Sequence, residues 1–227
     1  MSEKTEIISI QRITHNVKKF RVKKPGGYEF VPGQATEVAI DAEKWIKEKH
    51  PFTFTSLNND PFLEFIIKSF PVKKYPNHTG MTEKLHTLKL GDRLIIGKPW
   101  GAISYRGPGI FIAGGAGITP FIAIFKQLKK DNKLKGNILI FSNKKAKDII
   151  LENELKDLFG DKNLILTLTE EKKDEYLFGR INGRFLKGYV KDFSQRFYIC
   201  GPVPMVKEIS AVLRNFGAES NSLVFEK

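Results

Sequence analysis

Ile112-Ala113-Gly114-Gly115-Ala116-Gly117-Ile118-Thr119-Pro120 decides the fold. A short apolar run at 109–113 enters clustered glycines, and a helix-forming stretch at 120–130 follows, with proline in its first turn. Further apolar runs at 137–141, 164–169, 196–200 and 222–225 read as strands. Between them, 148–159, 184–189 and 205–216 read as helices. Strands and helices alternating at these lengths predict a parallel sheet covered on both faces.

Upstream, short strand-like segments at 7–14, 17–23, 35–40, 62–68 and 93–97 are separated by turn signals such as Pro25-Gly26-Gly27, Asn58-Asn59-Asp60 and Gly91-Asp92. This grammar predicts an antiparallel barrel or sandwich. Residues 82–90 read as one short helix. The Gly/Pro-rich stretch Tyr105-Arg106-Gly107-Pro108-Gly109 sets the boundary between domains at 1–104 and 105–227.

The chain has 227 residues, long enough for two such domains, and 41% of them are hydrophobic, enough for packed cores. One cysteine excludes an intrachain disulfide framework, a four-cysteine iron–sulfur cluster and a cysteine-rich zinc site. The four histidines lack metal-ligand spacing and no G-x-S-x-G elbow occurs, so no metal site and no hydrolase chemistry are expected. The segment MSEKTEIISI carries two acids and no apolar signal core, and no apolar stretch reaches membrane-spanning length. A cytoplasmic, monomeric protein with no membrane span is expected. The net charge is +13, from 38 basic and 25 acidic residues. The basic residues are dispersed along the chain, which fits a solvated surface and an acidic protein partner better than nucleic acid.

Glycines at 114, 115 and 117 let backbone approach a ligand, and the following helix start, with Ile118 and Thr119, offers free N–H groups. A second glycine turn, Cys200-Gly201-Pro202, ends another strand at the same sheet edge, where ligands of open α/β sheets bind. In the first half, His50-Pro51-Phe52-Thr53 alternates ring and hydroxyl side chains. Ile66-Ile67-Lys68 follows, and Gly80-Met81-Thr82 opens the short helix as a candidate pyrophosphate site.

In this order, with Phe30-Val31-Pro32-Gly33-Gln34 upstream, the motifs resemble the ferredoxin–NADP reductase superfamily over nearly the whole chain. The H-P-F-T form resembles ferric reductases and NADPH oxidases. The resemblance implies a two-domain β plus α/β fold: an FAD-binding six-stranded Greek-key barrel, then a parallel-sheet NAD(P)-binding domain. It implies that Phe52 packs on the flavin and that Thr53 bonds near flavin N5. It also implies that His50, Pro51 and the 66–68 backbone line the flavin site, while Gly80, Met81 and Thr82 hold the pyrophosphate. Gly114, Gly115, Gly117, Ile118 and Thr119 meet the nucleotide, Cys200, Gly201 and Pro202 border the nicotinamide, and Glu226 belongs to the polar surroundings of the ring. Thr53, Cys200 and Glu226 are the implied catalytic residues.

Three positions depart from the family pattern. His50 replaces an arginine, Ala116 stands where many members have threonine, and only Lys227 follows Glu226, so no terminal aromatic covers the flavin. Ser142 with Lys144 or Lys145, after the second parallel strand, suits the 2′-phosphate of NADPH, with NADH as the alternative. The resulting expectation is an FAD-dependent NAD(P)H oxidoreductase passing single electrons to an acidic carrier, flavodoxin or ferredoxin. The alternatives are a free-flavin or ferric-chelate reductase, and a non-catalytic redox-sensing module.

Overall fold

The computed structural model describes residues 2–101, 103–219 and 223–225. It divides into two compact units, Met1–Gly101 and Ala102–Lys227. The first contains β1 (Glu3–Thr14), β2 (Val17–Lys23), β3 (Ala35–Ile40), β4 (His50–Thr53), β5 (Phe62–Lys68) and β6 (Arg93–Ile96). They form one sheet in the order β4-β3-β6-β1-β2-β5, and every pairing is antiparallel. Alternation sends Phe20, Val22, Val38, Ile40, Leu63, Phe65, Ile67, Leu94 and Ile96 to one side, where they enclose a core around Phe54. Beyond β4, the Thr55 N–H donates to the Glu64 carbonyl at 2.8 Å, joining the two ends of the sheet. This is the predicted Greek-key barrel.

The predicted helix at 82–90 is shorter than the sequence suggests. α1 (Met81–Leu85) buries Met81 and Leu85 in the barrel core. Thr87 and Leu88 then bond three residues back, to the carbonyls of Lys84 and Leu85, so the chain tightens into turns.

The second unit is a parallel sheet of β7 (Gly109–Gly114), β8 (Ile138–Asn143), β9 (Leu164–Leu168), β10 (Leu177–Phe178), β11 (Arg196–Cys200) and β12 (Leu223–Phe225), in the order β10-β9-β8-β7-β11-β12. Helices α2 (Thr119–Lys130), α3 (Glu152–Asn163), α4 (Gly183–Tyr189) and α5 (Val203–Asn215) complete it. Ile110 and Ile112 face α4 and α5 through Leu186, Ile209 and Leu213. Phe111, between them, makes edge-to-face contacts with Phe121 and Phe125 of α2, and Phe125 meets Phe159 of α3 in the same way. Both sheet faces are therefore covered, as the near-continuous apolar strands require.

Two sequence expectations shift here. The two-residue strand β10 carries no sequence signal of its own. α3 starts at Glu152 rather than near 148, because Asp148 accepts the Lys145 N–H and closes a separate turn, and Leu151 sits in the left-handed region at φ 55°. The stretch 105–109 is held to the second unit rather than left loose. The buried Tyr198 hydroxyl accepts from Arg106 N at 2.9 Å and donates to Gly107 O at 2.7 Å, and Asn137 Oδ1 accepts from Gly109 N.

Candidate active site

In the first unit, Thr53 ends β4 opposite Ala35 of β3. It is only 8% exposed, yet its hydroxyl has no hydrogen-bond partner among the described residues. The oxygen itself is not sealed from solvent, so a ligand can reach it and complete it. Phe52, one residue back, packs partly against the barrel core, so only part of its ring is left for a ligand.

β5 supplies an edge to the same unit. Ser69 N donates to Asn16 O, which fixes the hydrogen-bond alternation between β5 and β2. Ile67 then bonds toward β2, while Ile66 and Lys68 turn their N–H and C=O groups to the opposite edge. Of the three residues predicted to line the flavin, the backbone groups of Ile66 and Lys68 are thus the ones directed outward.

His50 reaches the start of α1. Its Nε2 lies 3.1 Å from Thr79 Oγ1, and that oxygen also accepts from Met81 N at 3.4 Å. Gly80 follows at φ 86°, and a Cβ there would lie 2.9 Å from Val72 Cγ2. The side chains at this turn are engaged elsewhere. Met81 is buried in the core, and the Thr82 hydroxyl accepts from Phe70 N at 3.1 Å. What the turn offers a phosphate is backbone N–H groups and the neighbouring imidazole.

Sequence reasoning missed the group that fixes this geometry. Glu64, 1% exposed, is held by Arg21 Nε at 2.8 Å and by Thr55 Oγ1 at 3.0 Å, and its N–H donates to Ser56 Oγ. The network locks Thr55 and Ser56, two and three residues after the H-P-F-T strand, onto β5. A lone acid inside the apolar run Phe62-Leu63-Glu64-Phe65 was the available signal, since a buried carboxylate requires partners. The orphaned Thr53 hydroxyl, the outward β5 edge and the backbone cradle at Gly80 together fit FAD.

In the second unit, the chain leaves β7 toward β8 on one side and occupies β11 on the other, so the sheet's switch point lies between β7 and β11. Both predicted glycine turns sit there. They pack on each other: a Cβ on Gly117 would fall 2.3 Å from the Cys200 carbonyl oxygen, and one on Gly114 would fall 2.4 Å from Met205 Sδ. Gly201 is less tightly enclosed, its hypothetical Cβ falling 3.1 Å from Gly114 N. These glycines therefore serve turn-on-turn packing first. Gly115, at φ 54° with open space around it, is the position that a ligand can approach. Ile118 is buried, and the Thr119 hydroxyl donates to Ala116 O at 3.0 Å. Cys200 is 6% exposed at the end of β11, and Pro202 caps the start of α5.

Ser142, at the end of β8, pairs with Gly114 across the ladder, so it lies beside the glycine turn. Lys144 does not present a bare cation: its Nζ is 2.7 Å from Glu170 Oε1. The loop after β9 also donates Glu170 N to Lys144 O, and Glu171 Oε2 accepts from Ala146 N at 2.7 Å. Asn143 between them is 5% exposed, and neither polar atom of its amide has a partner among the described residues. An orphaned amide at this edge, with open backbone at Gly115, fits a polar nucleotide. Glu226 lies outside the described residues. Among the described residues no cluster of His, Cys, Asp or Glu could hold a metal ion, and no helix is long and apolar enough to cross a membrane.

Comparison with known proteins matches residues 2–103 to an FAD-binding domain and residues 111–211 to an oxidoreductase NAD-binding domain. The chain belongs to the ferredoxin–NADP reductase superfamily. It is a flavin- and NAD(P)-binding oxidoreductase with the two domains in the family's order. It is 26% identical to NADH-cytochrome b5 reductase 2 of Mus musculus, over 88% of this chain and 85% of that protein. It is 24% identical to the reductase component of propane 2-monooxygenase from Rhodococcus jostii, over 99% of this chain, and spans 63% of that protein's length. The fold matches the FAD/NAD-binding domain of a nitric oxide dioxygenase from Vibrio cholerae, with a TM-score of 0.86 and 21% identity over 98% of this chain and 97% of that one. It also matches a ferredoxin NADP+ reductase from Neisseria gonorrhoeae, with a TM-score of 0.84 and 18% identity over 99% and 98% of the two chains.

Proposed function

We propose that this reductase takes hydride from NADH and delivers single electrons to a separate acidic carrier protein. The carrying observation is the hydroxyl of the nearly buried Thr53, unpartnered among the described residues of the FAD-binding unit. Bound FAD supplies the conversion of a two-electron donor into one-electron steps. The chain's own groups bind and orient. Thr53 offers a hydrogen bond at the ring, the outward groups of Ile66 and Lys68 hold the ring edge, and the Gly80 turn with His50 holds the phosphates. Gly115, Ser142 and Asn143 face the nucleotide, and Cys200 and Pro202 border its nicotinamide.

The coenzyme reading moves from NADPH to NADH because of Glu170. A 2′-phosphate brought to Ser142 and Lys144 would meet a carboxylate that already holds the ammonium, and like charges at that range repel. Carboxylates favour an unphosphorylated ribose. Similarity to NADH-cytochrome b5 reductases supports the same choice.

For the acceptor, the +13 charge complements an acidic ferredoxin, flavodoxin or cytochrome b5-like haem protein, and one cysteine leaves no four-cysteine cluster in this chain. Raising salt from about 20 mM to about 300 mM is expected to depress turnover with such a carrier about tenfold, and to leave turnover with a small uncharged quinone nearly unchanged. Equal salt responses would remove the acidic carrier.

Thr53→Ala tests the ring assignment. FAD is expected to remain bound, while its reduction by NADH in stopped flow slows about tenfold, the loss of one hydrogen bond at the reacting atom. Reduction within twofold of wild type would take Thr53 out of the site.

A further inference from the structure

α1 is five residues long, too short to be stable alone, so its position depends on tertiary ties. At its start, Thr82 Oγ1 accepts from Phe70 N and Glu83 Oε2 accepts from Val72 N. At its end stands His86, whose N–H closes the helix on Thr82 O. The His86 ring leaves the helix altogether: Nε2 lies 2.9 Å from the carbonyl of Ile67 on β5. A carbonyl only accepts, so Nε2 carries the proton and donates. In the other direction, Lys18 Nζ donates to His86 O at 2.7 Å. Lys18 alternates along β2 with Phe20 and Val22, and its half-buried side chain carries the ammonium to the carbonyl end of the helix. The His86 ring also meets the edge of Phe20. The burial that makes this contact, with Lys18 and Arg12 acting in the same direction, lowers the His86 pKa against the opposing Ile67 bond, so the ring is a neutral donor at neutral pH.

We propose that His86 is a positioning residue of the FAD site, tying the phosphate-binding start of the protein's short helix to the strand that lines the flavin ring. The inference rests on the FAD reading of this unit. Its physical basis is spacing. FAD must satisfy the Gly80 turn with its phosphates and the outward edge of Ile66 and Lys68 with its ring at once. His86 bonds to Ile67, the residue between those two, and closes the helix that Gly80 opens. With the tie in place, both subsites are set before FAD arrives. Without it, binding must order the helix, and affinity falls by that ordering cost. Nothing in the H-P-F-T or glycine motifs points to this histidine, which sits six residues beyond Gly80 on an element the sequence extends past it.

The test compares His86→Leu, which removes the donor, with His86→Gln, whose amide N–H can still reach Ile67 O. FAD affinity is read from recovery of flavin fluorescence on dilution of the holoprotein, and it needs no turnover. H86L is expected to bind FAD about fivefold more weakly, the worth of one neutral hydrogen bond, and H86Q to lie within about twofold of wild type. H86L binding as tightly as wild type overturns the proposal. So does H86Q falling as far as H86L, which would assign the effect to ring packing on Phe20. If H86L does not fold, Lys18→Met loosens the same end of the helix and is expected to weaken FAD about threefold, with unchanged affinity again overturning it. A wild-type protein that takes up no FAD would overturn the FAD reading as well, which separates the two failures.

Discussion

Gly117→Ala is expected to lower the rate of NADH-driven flavin reduction about 100-fold, with FAD still bound. The reason is space rather than chemistry. A Cβ at position 117 would stand 2.3 Å from the Cys200 carbonyl oxygen, 2.5 Å from its carbon and 2.6 Å from the Gly201 Cα. All three are backbone atoms on a strand end and its turn, so no side chain can swing aside. The two turns must separate, and they are the two that flank the sheet's switch point. Overpacking of this kind costs about 1–3 kcal/mol, and the upper end corresponds to about 100-fold in rate. Gly188→Ala is the control. It lies in α4 with nothing within 4 Å of a new Cβ, and alanine there should be neutral or slightly stabilising. Stopped-flow reduction of the two variants makes the comparison. A G117A protein reduced as fast as G188A would show that turn-on-turn packing does not shape the nucleotide site.

Gly80→Ala is expected to weaken FAD binding about tenfold and to leave NADH binding in the second unit unchanged. Here the conformation dominates. Gly80 stands at φ 86°, in the left-handed region, where an L side chain costs roughly 1–2 kcal/mol. The new methyl would also press on Val72 Cγ2 at 2.9 Å and approach Trp45 at 3.8 Å. Relief by rotating φ would swing the first N–H groups of α1 away from the phosphate position. Fluorescence titration with FAD reads the effect directly, and affinity within twofold of wild type would place the phosphates elsewhere.

The two glycines also show where sequence reading stops. The apolar run into Gly114 and the alternation on β2, β3 and β5 were legible, because strand period and turn chemistry are local. But Gly114, Gly115 and Gly117 look alike in sequence, and only the fold separates Gly115, open to a ligand, from Gly114 and Gly117, filled by Met205 and Cys200. The same limit applies to charge. Lys144 reads as a phosphate ligand until Glu170, 26 positions away, is found 2.7 Å from it. Glu64 reads as an oddity until Arg21 and Thr55 are found around it. Glu170 and Arg21 are distant in sequence from the residues they hold, so no local window of residues could supply them. The late start of α3 belongs with them: Leu151 takes a left-handed conformation that propensity alone argues against.

The most direct test of the flavin–NADH account is an anaerobic absorbance spectrum of the purified protein, before and after NADH, with NADPH added to a second sample. The account predicts a bound flavin band that bleaches fully with one equivalent of NADH, and at least about tenfold more slowly with NADPH, as one like-charge contact at Glu170 would impose. A colourless protein that takes up no added FAD, or a bound flavin that neither nucleotide reduces, would contradict it.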